Sequence, residues 1–159
     1  MDVTLGTVLG FVAAGLAVIP AGFGSAAGVG LVGRAGAGLI TEDPDKFGPV
    51  IVLQALPGTQ GIYGFLTALM IMVRMGVLGG NVASLTTYQG FLFVLAAMPV
   101  ALVGPVSAIY QGQVAAAGVG VVAKRPEEMG KAVIMAAMVE TYAVLSLLAS
   151  LLLVFSIQV

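Results

Sequence analysis

The chain has 159 residues, of which 60% are hydrophobic and only 8% are charged, and its mean hydropathy is +1.14. This composition excludes an ordinary soluble domain and predicts an all-α protein that crosses the membrane several times. A net charge of −1 argues against nucleic-acid binding, and the absence of Cys and His excludes disulfides, thiolate nucleophiles, zinc sites and histidine acid–base catalysis.

Charged residues divide the chain into four apolar segments, each longer than the roughly 20 residues that a membrane helix needs. The predicted helices cover residues 3–40, 47–74, 86–123 and 127–157. The chain start lacks the basic region of a cleavable signal peptide, so we expect the first helix to remain. At about 1.5 Å per residue the first and third segments exceed one bilayer crossing, which predicts that they tilt or extend beyond the hydrocarbon.

The basic residues predict the orientation of these helices in a cell membrane. Five of the six lie in or near the first and third links: Arg34, Lys46, Lys124, Arg125 and Lys131. By the positive-inside rule, loops 41–46 and 124–128 are expected in the cytoplasm and both termini outside. Arg74 opposes this orientation; we expect it and Arg34 to contact lipid or headgroups.

The two halves of the chain repeat. Residues 30–59 align without gaps with residues 112–141, and nine of those thirty positions are identical. This pattern predicts two duplicated helical hairpins, residues 1–82 and 83–159, which together form one membrane domain. The repeat places Glu140 opposite Gly58, so one acid remains for two hairpins.

The glycines of the first helix are interpreted as packing positions. Residues Gly28 to Gly33 fit the dinucleotide pattern G-x-G-x-x-G, but that motif requires a preceding strand, whereas here it lies inside a long apolar helix. Pairs such as Gly6 with Gly10 and Gly24 with Gly28 have the spacing that lets helices approach closely in lipid.

Glu140 is the strongest functional candidate. It is the only charged residue between Lys131 and the C-terminus, with apolar sequence on both sides. An acid near the middle of a membrane helix costs about 3 kcal/mol, and such an acid is a functional site by default. A purely structural pairing of Glu140 is the alternative, although no basic residue lies at its depth.

The second helix carries a break. Pro57 has no N–H to donate to the Leu53 carbonyl, and Gly58 lets another helix approach. Broken helical backbone is tolerated in a membrane where freed carbonyls meet a partner or an ion. An ordinary proline kink is the alternative interpretation.

Four polar residues are predicted to lie at one level of the membrane. Nearly equal stretches of helix separate three of them from the first and third links: Lys46 to Thr59, Glu127 to Glu140, and Gln111 to Ala123. At about 1.5 Å per residue each is roughly 18–20 Å from the same side. Together with Gln60 they offer one carboxylate and several neutral oxygens, a set that suits a hard, monovalent cation.

Three sequence motifs point to one particular protein family. They are Leu-Pro-Gly-Thr-Gln-Gly-x-Tyr-Gly at 56–64, Gln-Gly-x-Val-Ala-Ala-Ala-Gly at 111–118 and Ala-Ala-Met-Val-Glu-Thr-Tyr-Ala at 136–143. The chain resembles the membrane proteolipids of V-type (V/A-type) ATPases, and most of all the four-helix K subunits of bacterial sodium-translocating enzymes. The resemblance covers nearly the whole chain.

The resemblance implies a homo-oligomeric rotor ring in the lipid bilayer, with the first and third helices inside and the second and fourth outside. Each protomer would bind one Na⁺, and Tyr63 would hold the carboxylate inward by a hydrogen bond. The implied ligands are the side chains of Glu140, Gln111, Gln60 and Thr59 and the backbone carbonyl of Leu56.

The resemblance also implies the partners. A stator membrane subunit would supply an arginine that displaces the ion, and the central stalk would bind the cytoplasmic loops. ATP hydrolysis would take place in other subunits, so this chain is expected to be a transport component without catalytic activity of its own. Run in reverse, the ring would serve ATP synthesis.

Three alternatives stay open. The same rotor subunit would carry H⁺ if Glu140 took up a proton, but the neutral oxygens of Thr59, Gln60 and Gln111 would then be surplus, which favours Na⁺. A small four-helix ion channel or secondary transporter is the second alternative. A structural membrane scaffold is the third, and it predicts that Glu140→Gln leaves transport intact.

Overall fold

The computed structural model describes residues 4–159, which form five α-helices in four apolar spans. The helices are α1 (Leu5–Glu42), α2 (Phe47–Ala55), α3 (Thr59–Arg74), α4 (Thr87–Lys124) and α5 (Met129–Ser156). All four spans are long and apolar enough to cross a membrane. The predicted all-α fold with four transmembrane helices is confirmed.

The second span is the one that differs from an uninterrupted helix. Helices α2 and α3 are joined by a 3₁₀ turn over Leu56–Gly58, which contains Pro57, a residue without an N–H for the i−4 bond. Pro20 in α1 and Pro99 and Pro105 in α4 lie inside continuous helices, so a proline alone does not produce such a turn. In this turn the Thr59 N–H donates to the Leu56 carbonyl. The predicted start of the first helix at residue 3 lies outside the described residues.

Helices α1 and α4 pack against each other along most of their length. Each has 38 residues, which corresponds to about 57 Å at 1.5 Å per residue. A Cβ added at Gly24 would lie 2.3 Å from the Pro105 Cα, and one at Gly28 would lie 2.4 Å from the Ala108 carbonyl oxygen. Only glycine permits this approach of the two backbones.

Two apolar clusters hold the helices together, one toward each end of the bundle. The cluster near the first and third links contains Val32, Val50, Leu53, Ala115, Val119, Val122, Ala132 and Ala136. The cluster toward the termini includes Ala13, Ala17, Ile71, Met75, Phe93, Ala97, Val100 and Val154. In sequence, the polar residues of the candidate site lie between these two sets on α3, α4 and α5.

At the end of the bundle where the chain termini lie, polar side chains donate hydrogen bonds to the backbone that follows α5. The Arg74 guanidinium Nη2 donates to the Ile157 carbonyl just beyond α5, and Gln89 Nε2 donates to the Gln158 carbonyl at 2.8 Å. Gln89 also forms a capping box with Thr86 at the start of α4. Arg74, for which we expected lipid contacts, thus binds the backbone at the end of α5.

Candidate functional site: a polar layer around Glu140

The 3₁₀ turn between α2 and α3 brings three oxygens together. The Thr59 hydroxyl donates to the Leu56 carbonyl at 3.0 Å, and its Oγ1 lies 3.3 Å from Gln60 Oε1. The Thr59 N–H donates to the same carbonyl, because the turn has i−3 bonding. The turn therefore presents a backbone, a hydroxyl and an amide oxygen at one point of the span.

A chain of two amides connects this turn to Glu140. Gln60 Nε2 donates to Gln111 Oε1 at 2.5 Å, and Gln111 Nε2 donates to Glu140 Oε2 at 3.2 Å. The side chains of Gln60 and Gln111 are fully buried, so a polar partner is needed for each amide group. Helices α3, α4 and α5 are thereby linked at one level, as the counting from the loops predicted.

Tyr63 approaches the other oxygen of the carboxylate. It lies one helical turn beyond Gln60 on α3, and its hydroxyl donates to Glu140 Oε1 at 2.5 Å. Each oxygen of Glu140 thus accepts one hydrogen bond from a neighbouring helix. A carboxylate with these two contacts has lone pairs left for a cation.

Ser107 also belongs to this layer, although the sequence reasoning missed it. Its Oγ lies 3.3 Å from Gln60 Nε2 and donates to the Val139 carbonyl at 3.0 Å. The available signal was a serine one helical turn before Gln111 in a long apolar helix, since a buried hydroxyl needs a partner.

The chemistry of the layer is that of a site with one negative charge. Within residues 4–159 no group of three or more His, Cys, Asp or Glu side chains is arranged to hold a metal ion. Glu140 instead contacts two neutral groups, the Tyr63 hydroxyl and the Gln111 amide. The oxygens of Thr59 and Gln60 follow in the same chain of hydrogen bonds, and oxygen ligands suit hard cations. The pattern Gly28 to Gly33 lies inside α1, where the backbone is helical throughout, so it is no dinucleotide loop.

Comparison with known proteins decides the family. The family model that describes the C subunit of ATP synthase matches residues 12–71 and again residues 94–153. The chain belongs to the ATP synthase C-subunit family. The two matched segments begin at residues 12 and 94, and these positions are offset by the same interval as residues 30 and 112 of the sequence repeat.

Two curated relatives extend over most of the chain. It is 46% identical over 151 residues to the V-type sodium ATPase subunit K of Enterococcus hirae, an alignment that covers 95% of this chain and 93% of that protein. It is 43% identical over 150 residues to the A-type ATP synthase subunit K of Methanocaldococcus jannaschii, covering 94% of this chain but 63% of that longer protein.

Family membership confirms the resemblance that was inferred from the three motifs. The chain is a multi-pass membrane proteolipid of the V/A-type ATPase kind, built from a duplicated hairpin. As a membrane subunit of a rotary complex it is not itself the catalyst.

Proposed function

We propose that each copy of this chain carries one Na⁺ across the membrane on Glu140 as part of a rotating ring. The observation that carries the proposal is the polar layer that joins Glu140 to a broken helix. The ligands we assign are the carboxylate of Glu140, the side-chain oxygens of Thr59, Gln60 and Gln111, and the Leu56 carbonyl. The name of the Enterococcus hirae relative, a sodium ATPase subunit, supports the choice of ion.

The arrangement of the oxygens favours a metal cation over a proton. Thr59 Oγ1 lies within 3.3 Å of both the Leu56 carbonyl and Gln60 Oε1, and proton carriage by a carboxyl group needs no such cluster. Gln60 Oε1 and Gln111 Oε1 each accept one hydrogen bond and keep a second lone pair for an ion. The Leu56 carbonyl accepts from both the N–H and the hydroxyl of Thr59, so it gains a lone pair for the ion when that hydroxyl turns away. A single carboxylate neutralises a monovalent ion and leaves a divalent one under-compensated.

The mechanism follows from the cost of charge in lipid. A bare Glu140 carboxylate is unfavourable against hydrocarbon, whereas a carboxylate with its cation is locally neutral and can pass through the bilayer. Tyr63 keeps the carboxylate directed inward during this passage. At the stator, an arginine of a partner subunit would replace the cation as counter-charge and release it.

We further propose how the ring contacts its partners. Copies pack side by side with α1 and α4 lining the ring, and the central stalk binds loops 41–46 and 124–128 on the cytoplasmic side. Most residues of these loops are exposed. An apolar groove of about 400 Å³ between α4 and α5, lined by Val106, Tyr110 and Tyr142 among others, is available to a neighbouring copy.

Carbodiimide labelling of Glu140 in membranes tests the proposal. The reagent attacks a protonated, accessible carboxyl group, so a bound cation protects it. We expect Na⁺ to slow labelling at fixed pH while K⁺ does not, and Glu140→Gln to abolish labelling at this position. If only a rise in pH slows labelling, the ring carries H⁺ and the ligand assignments for Thr59, Gln60 and Gln111 are wrong.

Oligomeric state in mild detergent separates the rotor from a channel or secondary transporter. A stable ring of many identical chains is expected, because Glu140 must meet the stator from the outside of an assembly. A monomer that conducts ions alone would contradict the proposal.

A further inference from the structure

Ser107 contacts two other helices with one hydroxyl group. It is 5% exposed and lies on α4, one turn before Gln111. Its Oγ accepts a hydrogen bond from Gln60 Nε2 on α3 at 3.3 Å and donates one to the Val139 carbonyl on α5 at 3.0 Å. Val139 immediately precedes Glu140, so the hydroxyl touches both the amide and the backbone segment that carry the proposed ligands.

The repeat supplies a counterpart in the first hairpin. The alignment that lays residue 30 over residue 112 also places Ser25 over Ser107, and the flanking Gly22 and Ala26 then match Gly104 and Ala108. Ser25 Oγ accepts a hydrogen bond from the Gly61 N–H at 2.8 Å. Each serine therefore bonds the backbone of the other span in its own hairpin, on α3 for Ser25 and on α5 for Ser107. Among the described residues, only Ser107 of this pair also contacts a proposed ligand side chain.

The contact with Ser107 determines which way the Gln60 amide faces. This amide has two hydrogens, and Nε2 donates to Gln111 Oε1 and to Ser107 Oγ. With its nitrogen so engaged, Gln60 directs Oε1 toward the Thr59 hydroxyl and the 3₁₀ turn. Since Gln60 is fully buried, loss of one acceptor would leave an unsatisfied amide hydrogen and weaken the preference for this orientation.

We propose that Ser107 is a positioning residue of the cation site: its hydroxyl orients the Gln60 amide oxygen toward the ion. This inference rests on the proposed function, cation binding at Glu140. It adds to that proposal a residue that acts through Gln60 and is not itself an ion ligand.

The test compares the Na⁺ concentration that halves carbodiimide labelling of Glu140 in assembled rings. Ser107→Ala should raise this concentration about tenfold, the effect of one lost buried hydrogen bond. Ser25→Ala is the matched control: it removes the equivalent hydroxyl, which bonds the Gly61 backbone N–H and no ligand side chain, and it should stay within about threefold of the parent chain. Should Ser107→Ala fail to assemble, Ser107→Cys, which keeps the size but bonds weakly, should move the concentration the same way.

A double-mutant cycle separates positioning from general loosening of the bundle. If Ser107 acts through Gln60, Ser107→Ala should have little further effect in a Gln60→Ala background. Full additivity of the two changes, or a Ser107→Ala shift below about twofold, would overturn the inference while leaving Na⁺ binding in place. If the parent ring is not protected by Na⁺ at all, the proposed function fails and the role of Ser107 fails with it.

Discussion

Removal of the Tyr63 hydroxyl is the most direct test of how the carboxylate is held. In Tyr63→Phe the aromatic side chain keeps its position, but Glu140 Oε1 loses the hydroxyl donor that lies 2.5 Å away. The carboxylate then keeps only the Gln111 contact at 3.2 Å, on its other oxygen. The side chain can swing away from α3, and cation binding must draw it back.

The magnitude follows from the chemistry of this bond. Hydrogen bonds to charged groups contribute about 1.5–3 kcal/mol. Tyr63 and Glu140 are both only partly buried, so the lower end of this range applies. About 1.4 kcal/mol corresponds to a factor of ten, and we therefore expect roughly a tenfold rise in the Na⁺ concentration that halves carbodiimide labelling.

The control uses the same substitution at a tyrosine without a role in the layer. Tyr88 is 73% exposed at the start of α4, and Tyr88→Phe should leave the Na⁺ concentration unchanged. A Tyr63→Phe shift of less than about twofold would refute the reasoning, since it would mean that the hydroxyl contributes well under 1 kcal/mol to holding Glu140 for the ion.

Three further predictions concern charge, packing and the end of α5. Glu140→Gln should abolish ion transport while the ring still assembles, because the amide keeps the shape but lacks the charge; transport at the parent rate would favour a structural scaffold. Gly28→Ala should lower the free energy of unfolding by about 1–3 kcal/mol, measured by thermal denaturation in detergent, because the added Cβ would lie 2.4 Å from the Ala108 carbonyl oxygen. Gly48→Ala is the control and should leave the stability unchanged, because no atom lies within 4 Å of its added Cβ. Arg74→Gln should speed amide hydrogen exchange in the last turn of α5 without changing Na⁺ protection of labelling, because the guanidinium donates to the Ile157 carbonyl; unchanged exchange would show that this contact does not restrain the helix end.

Much of the fold was predictable because a bilayer makes local demands. A span needs about 20 apolar residues, so charges alone divide this chain into four helices. The Pro-Gly pair in the second span predicts a break, since proline lacks an N–H, but Pro20, Pro99 and Pro105 lack one too and lie in continuous helices. The structure has helices where the pattern places them and a 3₁₀ turn at Leu56–Gly58.

The candidate site was predictable as a set of residues but not as a set of bonds. An acid flanked by apolar sequence is conspicuous, and counting from the loops placed Thr59, Gln111 and Glu140 at a common depth. Counting gives height along a helix, however, and says little about which atoms of neighbouring helices meet. It therefore could not give the direction of the amide chain from Gln60 to Glu140.

The sequence by itself determined that this is a duplicated four-helix membrane protein with one intramembrane acid. Only the tertiary structure decided that Ser107 joins the polar layer and that Arg74 binds the end of α5. These contacts link residues 32 to 83 positions apart, and they depend on how each helix is rotated about its axis and how closely glycine lets it approach its neighbour. In a membrane the pattern of apolar residues predicts little about that rotation, because lipid and protein interior are both hydrophobic and apolar residues occur on every face of the helix.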